Sequence, residues 1–77
     1  MTLYDFYAEI SMLYVKYILY TTNEQKEVIT EHYRQYLKQA EKDAINGMID
    51  KNEAAGIINV FVDICKQNIN INNDLKR

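Results

Sequence analysis

The stretch LYDFYAEISMLYVKYILY, residues 3–20, decides the fold. At 100° per residue, its three charged residues Asp5, Glu9 and Lys16 fall together in a strip roughly 40° wide, which predicts a helix. Everything outside that strip is apolar or small, and five of the seven tyrosines of the chain lie in this stretch. A helix this apolar must be covered by the rest of the chain, by a second copy or by a partner protein.

Thr2 is predicted as the N-cap of helix 1, and the helix carries two apolar faces. The broad core arc consists of Leu3, Phe6, Ile10, Leu13, Tyr14 and Tyr17, with Tyr7 and Ile18 at its edge. Roughly opposite lie Ala8, Met12, Val15 and Leu19, which are spaced four, three and four residues apart as in the seam of a coiled coil. We therefore predict a protein interface at these four positions, for a second copy or another protein. The alternative is that helix 1 is central and its own chain covers both faces.

Two further helices complete the predicted domain. Thr21-Thr22-Asn23 interrupts the pattern, and either Thr21 with Glu24 or Thr22 with Gln25 can form the capping box of helix 2. Helix 2 is predicted to run to about Ile45 and to end at Gly47 as a left-handed residue just past the helix. The apolar positions of helix 2 are Ile29, Tyr33, Tyr36, Leu37, Ala40 and Ala44.

Asp50 is predicted as the N-cap of helix 3, with Glu53 closing its capping box. Helix 3 is predicted from Lys51 to about Gln67, with an apolar side of Ala54, Ile57, Ile58, Phe61, Ile64 and Cys65. The sequence thus predicts an all-α fold, a small antiparallel three-helix domain over residues 1–67 that self-associates through helix 1. Residues 68–77 are rich in asparagine and are expected to form a polar, frayed tail.

Composition limits the classes of function. The chain has 77 residues, a net charge of −2, one cysteine and one histidine. A single cysteine excludes an internal disulfide and a Cys-x-x-Cys zinc site, so we expect no cofactor and no metal. There is no basic stripe for nucleic acid, no basic flank of a signal peptide, and Asp5, Glu9 and Lys16 interrupt the only long apolar run. These features predict a cytoplasmic protein that binds neither nucleic acid strongly nor membranes.

The segment Asn46–Glu53 resembles the second half of an EF-hand calcium loop, with Gly47 at the sharp turn and Glu53 at the bidentate position. The resemblance implies calcium binding, but Lys42 and Ala44 occupy the first and third ligand positions, and a cation in place of the first carboxylate repels calcium. The simpler interpretation is a helix end followed by a helix N-cap.

Candidate chemistry elsewhere is weak. His32 lies on the polar side of helix 2 without a nucleophile at a recognisable spacing, and Cys65 is predicted to be a buried, inert thiol. We therefore expect a non-enzymatic regulator or adaptor that docks onto another protein. Residues with AT-rich codons, such as Ile, Asn, Lys and Tyr, suggest a phage- or plasmid-borne modulator of a host protein. The alternative is a helix-turn-helix-like transcriptional regulator that binds DNA through helices 2 and 3.

Overall fold

Three α-helices make up the computed structural model, which describes residues 1–75. They are α1 (Leu3–Ile18), α2 (Asn23–Asp43) and α3 (Lys51–Leu75), and each packs against the other two. Helices α1 and α2 are antiparallel, because Ser11 and Tyr14 bond to Tyr33 and Thr30 in reverse order. The start of α2 likewise bonds to the second half of α3, so these two helices are antiparallel as well. The predicted all-α three-helix fold is confirmed.

Each helix begins where its capping residue predicts. Thr2 accepts a hydrogen bond from the backbone N–H of Asp5 at 3.1 Å, and Thr22 with Gln25 forms a complete capping box. Thr22, rather than Thr21, is therefore the N-cap of α2. The Asp50 Oδ2 accepts hydrogen bonds from the backbone N–H groups of Asn52 and Glu53, both at 3.1 Å, so this N-cap is confirmed as well.

Helix ends were predicted less well. Helix α3 continues to Leu75, eight residues beyond the predicted end at Gln67, so that prediction is wrong. No glycine or proline interrupts the segment, and the Asn68 side-chain N–H donates to Ile64 O, one turn earlier, at 2.8 Å. Gln25 of α2 also donates to Asn68 O at 2.9 Å and anchors this part of α3 to the bundle. Fraying of the tail in solution stays a prediction, and residues 76 and 77 lie outside the described residues.

The connection between α2 and α3 contains a tight hairpin instead of the predicted helix-ending glycine. Asn46 and Gly47 have positive φ angles of 54° and 74°, and Ile45 and Met48 exchange backbone hydrogen bonds of 2.8 and 3.0 Å. Two central residues with positive φ form a type I′ turn, for which Asn-Gly is the preferred sequence. The predicted role of Gly47 is therefore wrong: α2 ends at Asp43 with Ala44 as its cap, and Gly47 belongs to a separate turn.

The same connection is bonded to the first residues of the chain. The Leu3 N–H donates to Gly47 O and the Ile49 N–H donates to Met1 O, both at 2.9 Å, and Thr2 forms an isolated antiparallel bridge with Met48. We call this pairing of residues 1–3 with residues 47–49 the N-terminal clip. It positions the start of α1 beside the start of α3.

The core lies between the three helices, as periodicity predicts. Its fully or nearly fully buried members are Phe6, Ile10, Ile29, Ala40, Ile49, Ala54, Ile57, Phe61 and Cys65. Eight of them were predicted on their helix faces, whereas Ile49 lies in the connection between α2 and α3. Partly buried side chains pack around these residues, among them all of the tyrosines of the predicted core arc.

Candidate interaction surface on the first helix

All four residues predicted as an interface lie on the solvent side of α1. Ala8 is exposed, and Met12, Val15 and Leu19 are 75%, 54% and 73% exposed. We call these four residues the outer strip. The opposite arc of α1, centred on the buried Phe6 and Ile10, packs against α2 and α3. Within the described residues, the chain therefore leaves this second apolar face uncovered.

Two neighbours extend the outer strip. Tyr4, which is 84% exposed, lies one helical turn before Ala8 on the same side of α1. Sequence reasoning missed Tyr4, although its four-residue spacing from Ala8 could have placed it there. A shallow depression is lined by Ser11, Met12, Val15 and Lys16, and its walls are almost entirely apolar. Exposed apolar surface that is contiguous on one helix is typical of a contact site.

A charged flank borders the outer strip on one side. Asp5, Glu9 and Lys16 are all exposed, and the acidic residues precede the basic one along the helix. The Lys16 Nζ lies 5.6 Å from the centroid of the Tyr17 ring, close enough for a cation–π contact. The flank thus carries negative charge towards the start of α1 and positive charge towards its end.

The position of the outer strip is set by a tyrosine pair on the other side of α1. The rings of Tyr14 and Tyr33 stack with their centroids 4.2 Å apart and an interplanar angle of 11°. Ser11 Oγ lies 2.7 Å from Tyr33 Oη, and Tyr14 Oη lies 2.8 Å from Thr30 Oγ1. Each helix therefore supplies one tyrosine and one small hydroxyl residue, three positions apart. The tyrosine of each helix bonds to the small hydroxyl residue of the other. This arrangement fixes the register of α1 against α2.

The tyrosine pair was only partly predicted. The sequence indicated that Tyr14 and Tyr33 face the core, with their hydroxyls reaching water at its rim. The hydroxyls instead bond to Thr30 and Ser11 of the facing helix. Periodicity identifies which residues share a face, but the match between two helices depends on their relative shift, which spacing within one helix does not contain.

The single cysteine is buried, as predicted. Cys65 has no exposed surface, and this burial raises the pKa of its thiol to about 11. At neutral pH the group is therefore a neutral thiol with little thiolate character. The single histidine is half-buried, and its Nδ1 lies 2.8 Å from Val28 O one turn earlier in α2. Neither residue faces the outer strip.

The segment that resembles a calcium loop contains a carboxyl pair. The pKa of Glu53 is raised, chiefly by a hydrogen bond with the Asp43 carboxyl and further by desolvation and the charges of Asp43 and Asp50. This bond requires a proton, because two carboxylates have no donor between them. Glu53 Oε2 has no hydrogen-bond partner among the described residues, and the Glu53 carboxyl accepts no bond from the backbone N–H of Asp50. Glu53 therefore does not close the capping box, which corrects the prediction.

Two features of residues 1–75 concern metals and membranes. Within residues 1–75, no group of three or more His, Cys, Asp or Glu side chains is arranged to hold a metal ion. Of the three helices described, none combines the length and the apolar character that a bilayer span requires.

Comparison with known proteins does not assign this chain to a family. The chain matches no protein-family model, no curated protein and no solved structure. Its function is therefore inferred from its own surface.

Proposed function

We propose that this chain is a small non-enzymatic protein-interaction module, a regulator or adaptor that docks onto another protein through the outer strip of α1. The observation that carries the proposal is the exposure of Met12, Val15 and Leu19 on one face of a helix whose other face is packed. Burying side chains of this kind stabilises a complex by about 1–2 kcal/mol each, after allowing for the part already covered. Three such side chains contribute about 3–6 kcal/mol, so a stable complex also needs contacts around the outer strip to offset the cost of association.

The rigidity of α1 supports the same proposal. The tyrosine pair, the buried Phe6 and the N-terminal clip hold α1 along its length against the rest of the bundle. A partner that contacts the outer strip therefore meets side chains that are already positioned, so that less conformational entropy is lost on binding. A preformed helix face is one of the recurring surfaces by which proteins recognise helices.

The charge of the chain and the α2–α3 connection favour a protein partner over DNA. The net charge of −2 offers little attraction to phosphates. A helix-turn-helix joins its helices by a turn of about three or four residues, whereas residues 44–50 separate α2 from α3 here and form a hairpin. A transcriptional regulator remains the alternative, and it predicts a salt-sensitive shift of random duplex DNA at submicromolar protein.

The cellular setting is proposed from composition. A lone reduced thiol is normal in the cytosol, and the AT-rich codon bias fits a phage- or plasmid-borne gene. We therefore propose that the module acts in the cytoplasm on a host protein.

Affinity capture tests the proposal. Wild-type protein, the outer-strip variant Met12→Gln/Leu19→Gln and the matched control Glu31→Gln/Lys38→Gln are immobilised and exposed to lysate of the host. The control changes two exposed residues on the outer face of α2. We expect a partner to be captured by wild type and control and lost from the outer-strip variant. Equal capture by all three proteins contradicts the proposal, provided that circular dichroism shows each to be folded.

A further inference from the structure

We infer that, in the isolated protein, the outer strip is covered by a second copy of this chain, with the two α1 helices packed antiparallel. Ala8 of one copy then lies opposite Leu19 of the other, and Met12 lies opposite Val15. The inference rests on the proposal that the outer strip is an interface, and it adds the occupant, the direction and the register of the pair.

The register follows from the spacing and size of the exposed residues. In an antiparallel helix pair related by a two-fold axis, each contact occurs twice, so residues pair about a common centre. Placing that centre between Met12 and Val15 pairs the smallest residue of the outer strip with the large Leu19, and Met12 with Val15. Small residues facing large ones keep two helices at an even distance. All four positions are exposed and free to make these contacts within the described part of the chain.

The charged flank selects the antiparallel direction. In an antiparallel coiled coil the same flank of both helices meets, whereas in a parallel one opposite flanks meet. Glu9 and Lys16 lie one heptad apart on the same flank, so the antiparallel register places Glu9 of each copy beside Lys16 of the other. A parallel pair brings the charged flank of one copy against the uncharged side of the other, marked by Ser11 and Ile18. Charge complementarity thus favours the antiparallel pair, with two equivalent ion pairs.

The short length of the contact predicts a weak dimer. At 1.5 Å per residue, the outer strip extends over only about 16 Å of helix, which corresponds to the low end of specific interfaces. We therefore expect a micromolar dissociation constant and rapid exchange. A dimer of this strength covers the outer strip in the absence of a partner and can be displaced by a partner that binds more tightly.

Charge reversal tests the register. Sedimentation equilibrium is measured for wild type, Glu9→Lys, Lys16→Glu and the double swap Glu9→Lys/Lys16→Glu, with Glu31→Lys/Arg34→Glu on α2 as the matched control. Each single reversal places like charges together at two symmetric contacts, so we expect the Kd to rise about tenfold. The double swap restores opposite charges, and we expect its Kd within about threefold of wild type, with the differences shrinking at high salt. The control should behave as wild type.

Cysteine cross-linking tests the direction. In the antiparallel pair, Ala8→Cys of one copy lies beside Leu19→Cys of the other, while two Ala8→Cys positions are about 16 Å apart, beyond the reach of a disulfide. A mixture of the two single variants should therefore form cross-linked dimers on oxidation, and neither variant alone should. The native Cys65 does not interfere, because it is buried and its thiol pKa is about 11.

Each contrary result has a distinct meaning. A wild-type chain that stays monomeric up to near-millimolar concentration overturns the proposed dimer. In that case, loss of capture by the outer-strip variant still supports the docking function. A dimer that ignores both single reversals, or a disulfide formed by Ala8→Cys alone, overturns the antiparallel register. Equal lysate capture by wild type and outer-strip variant, together with a dimer that responds as expected, contradicts the docking function and leaves the dimer standing.

Discussion

Removing a single hydroxyl from the tyrosine pair should measurably destabilise the fold. The variant Tyr33→Phe loses only the Oη that lies 2.7 Å from Ser11 Oγ, and it keeps the ring stacked on Tyr14 and tilted against Phe61. A hydrogen bond of this kind contributes about 0.5–1.5 kcal/mol net. Because Ser11 is half-buried and water can partly replace the lost partner, we expect about 1 kcal/mol. In a domain of this size that lowers the Tm by roughly 4–8 °C.

The assay is unfolding by heat and by urea, followed by circular dichroism at one protein concentration, because the proposed dimer would make the Tm depend on concentration. Tyr4→Phe is the matched control: Tyr4 projects into solvent, and its variant should stay within about 0.5 kcal/mol of wild type. A double-mutant cycle between Ser11→Ala and Tyr33→Phe should give a coupling free energy of about 0.5–1.5 kcal/mol, since the two hydroxyls share one bond.

A Tyr33→Phe variant as stable as Tyr4→Phe, together with zero coupling to Ser11→Ala, would refute this reasoning. The hydroxyl bonds would then not stabilise the register of α1 against α2. The stacked rings alone would have to align the helices.

Four further predictions concern the α2–α3 connection and the start of α3. Gly47→Ala should lower the free energy of unfolding in urea by about 1 kcal/mol, because nothing lies within 4 Å of the added Cβ and only the positive φ angle opposes the change. Asp50→Ala should lower the same free energy by roughly 0.5–2 kcal/mol, because it removes the N-cap of α3. Glu53, whose pKa is raised in the folded state, binds more protons folded than unfolded between its usual value of 4.5 and its folded value. Stability must therefore fall as pH rises through that window, and melting curves of Glu53→Gln should lack this fall, whereas a parallel slope would contradict the carboxyl pair. Millimolar calcium should leave the Tm of wild type unchanged, and a calcium-dependent rise that disappears in Glu53→Gln would instead show that the loop binds the ion.

Periodicity and capping predict the three helices because both are local. The 3.6-residue pattern placed Phe6, Ile10 and Phe61 in the core, and the side chains of Thr2 and Thr22 marked helix starts within a few residues. The hairpin was missed because Gly47 was interpreted as the end of a helix, although the preceding asparagine is typical of a type I′ turn. The end of α3 was missed because Asn68 is stabilised by a contact from α2, which is distant in sequence.

The candidate surface was predicted more completely than the contacts beneath it. The outer strip follows from the spacing of Ala8, Met12, Val15 and Leu19 alone, and all four are exposed. The four residues are exposed because α2 and α3 pack on only one side of α1. The sequence already indicated this, because it predicts only two other helices. The effect of Asp43 on the pKa of Glu53 could not be predicted, because it depends on the path of the chain through a turn whose type was not anticipated.

The N-terminal clip has a consequence for the order in which the molecule folds and opens. It joins Met1 to Ile49, 48 positions apart, whereas α1 and α2 are joined by a connection of only four residues. Closing the longer loop costs about 2 kcal/mol more chain entropy, so we expect the helix hairpins to form first and the clip last. The clip is then also the first part to open, without unpacking the helices. Residues 1–3 can therefore loosen transiently while the outer strip stays in place, because Phe6 and Ile10 on either side of Ala8 remain packed in the core.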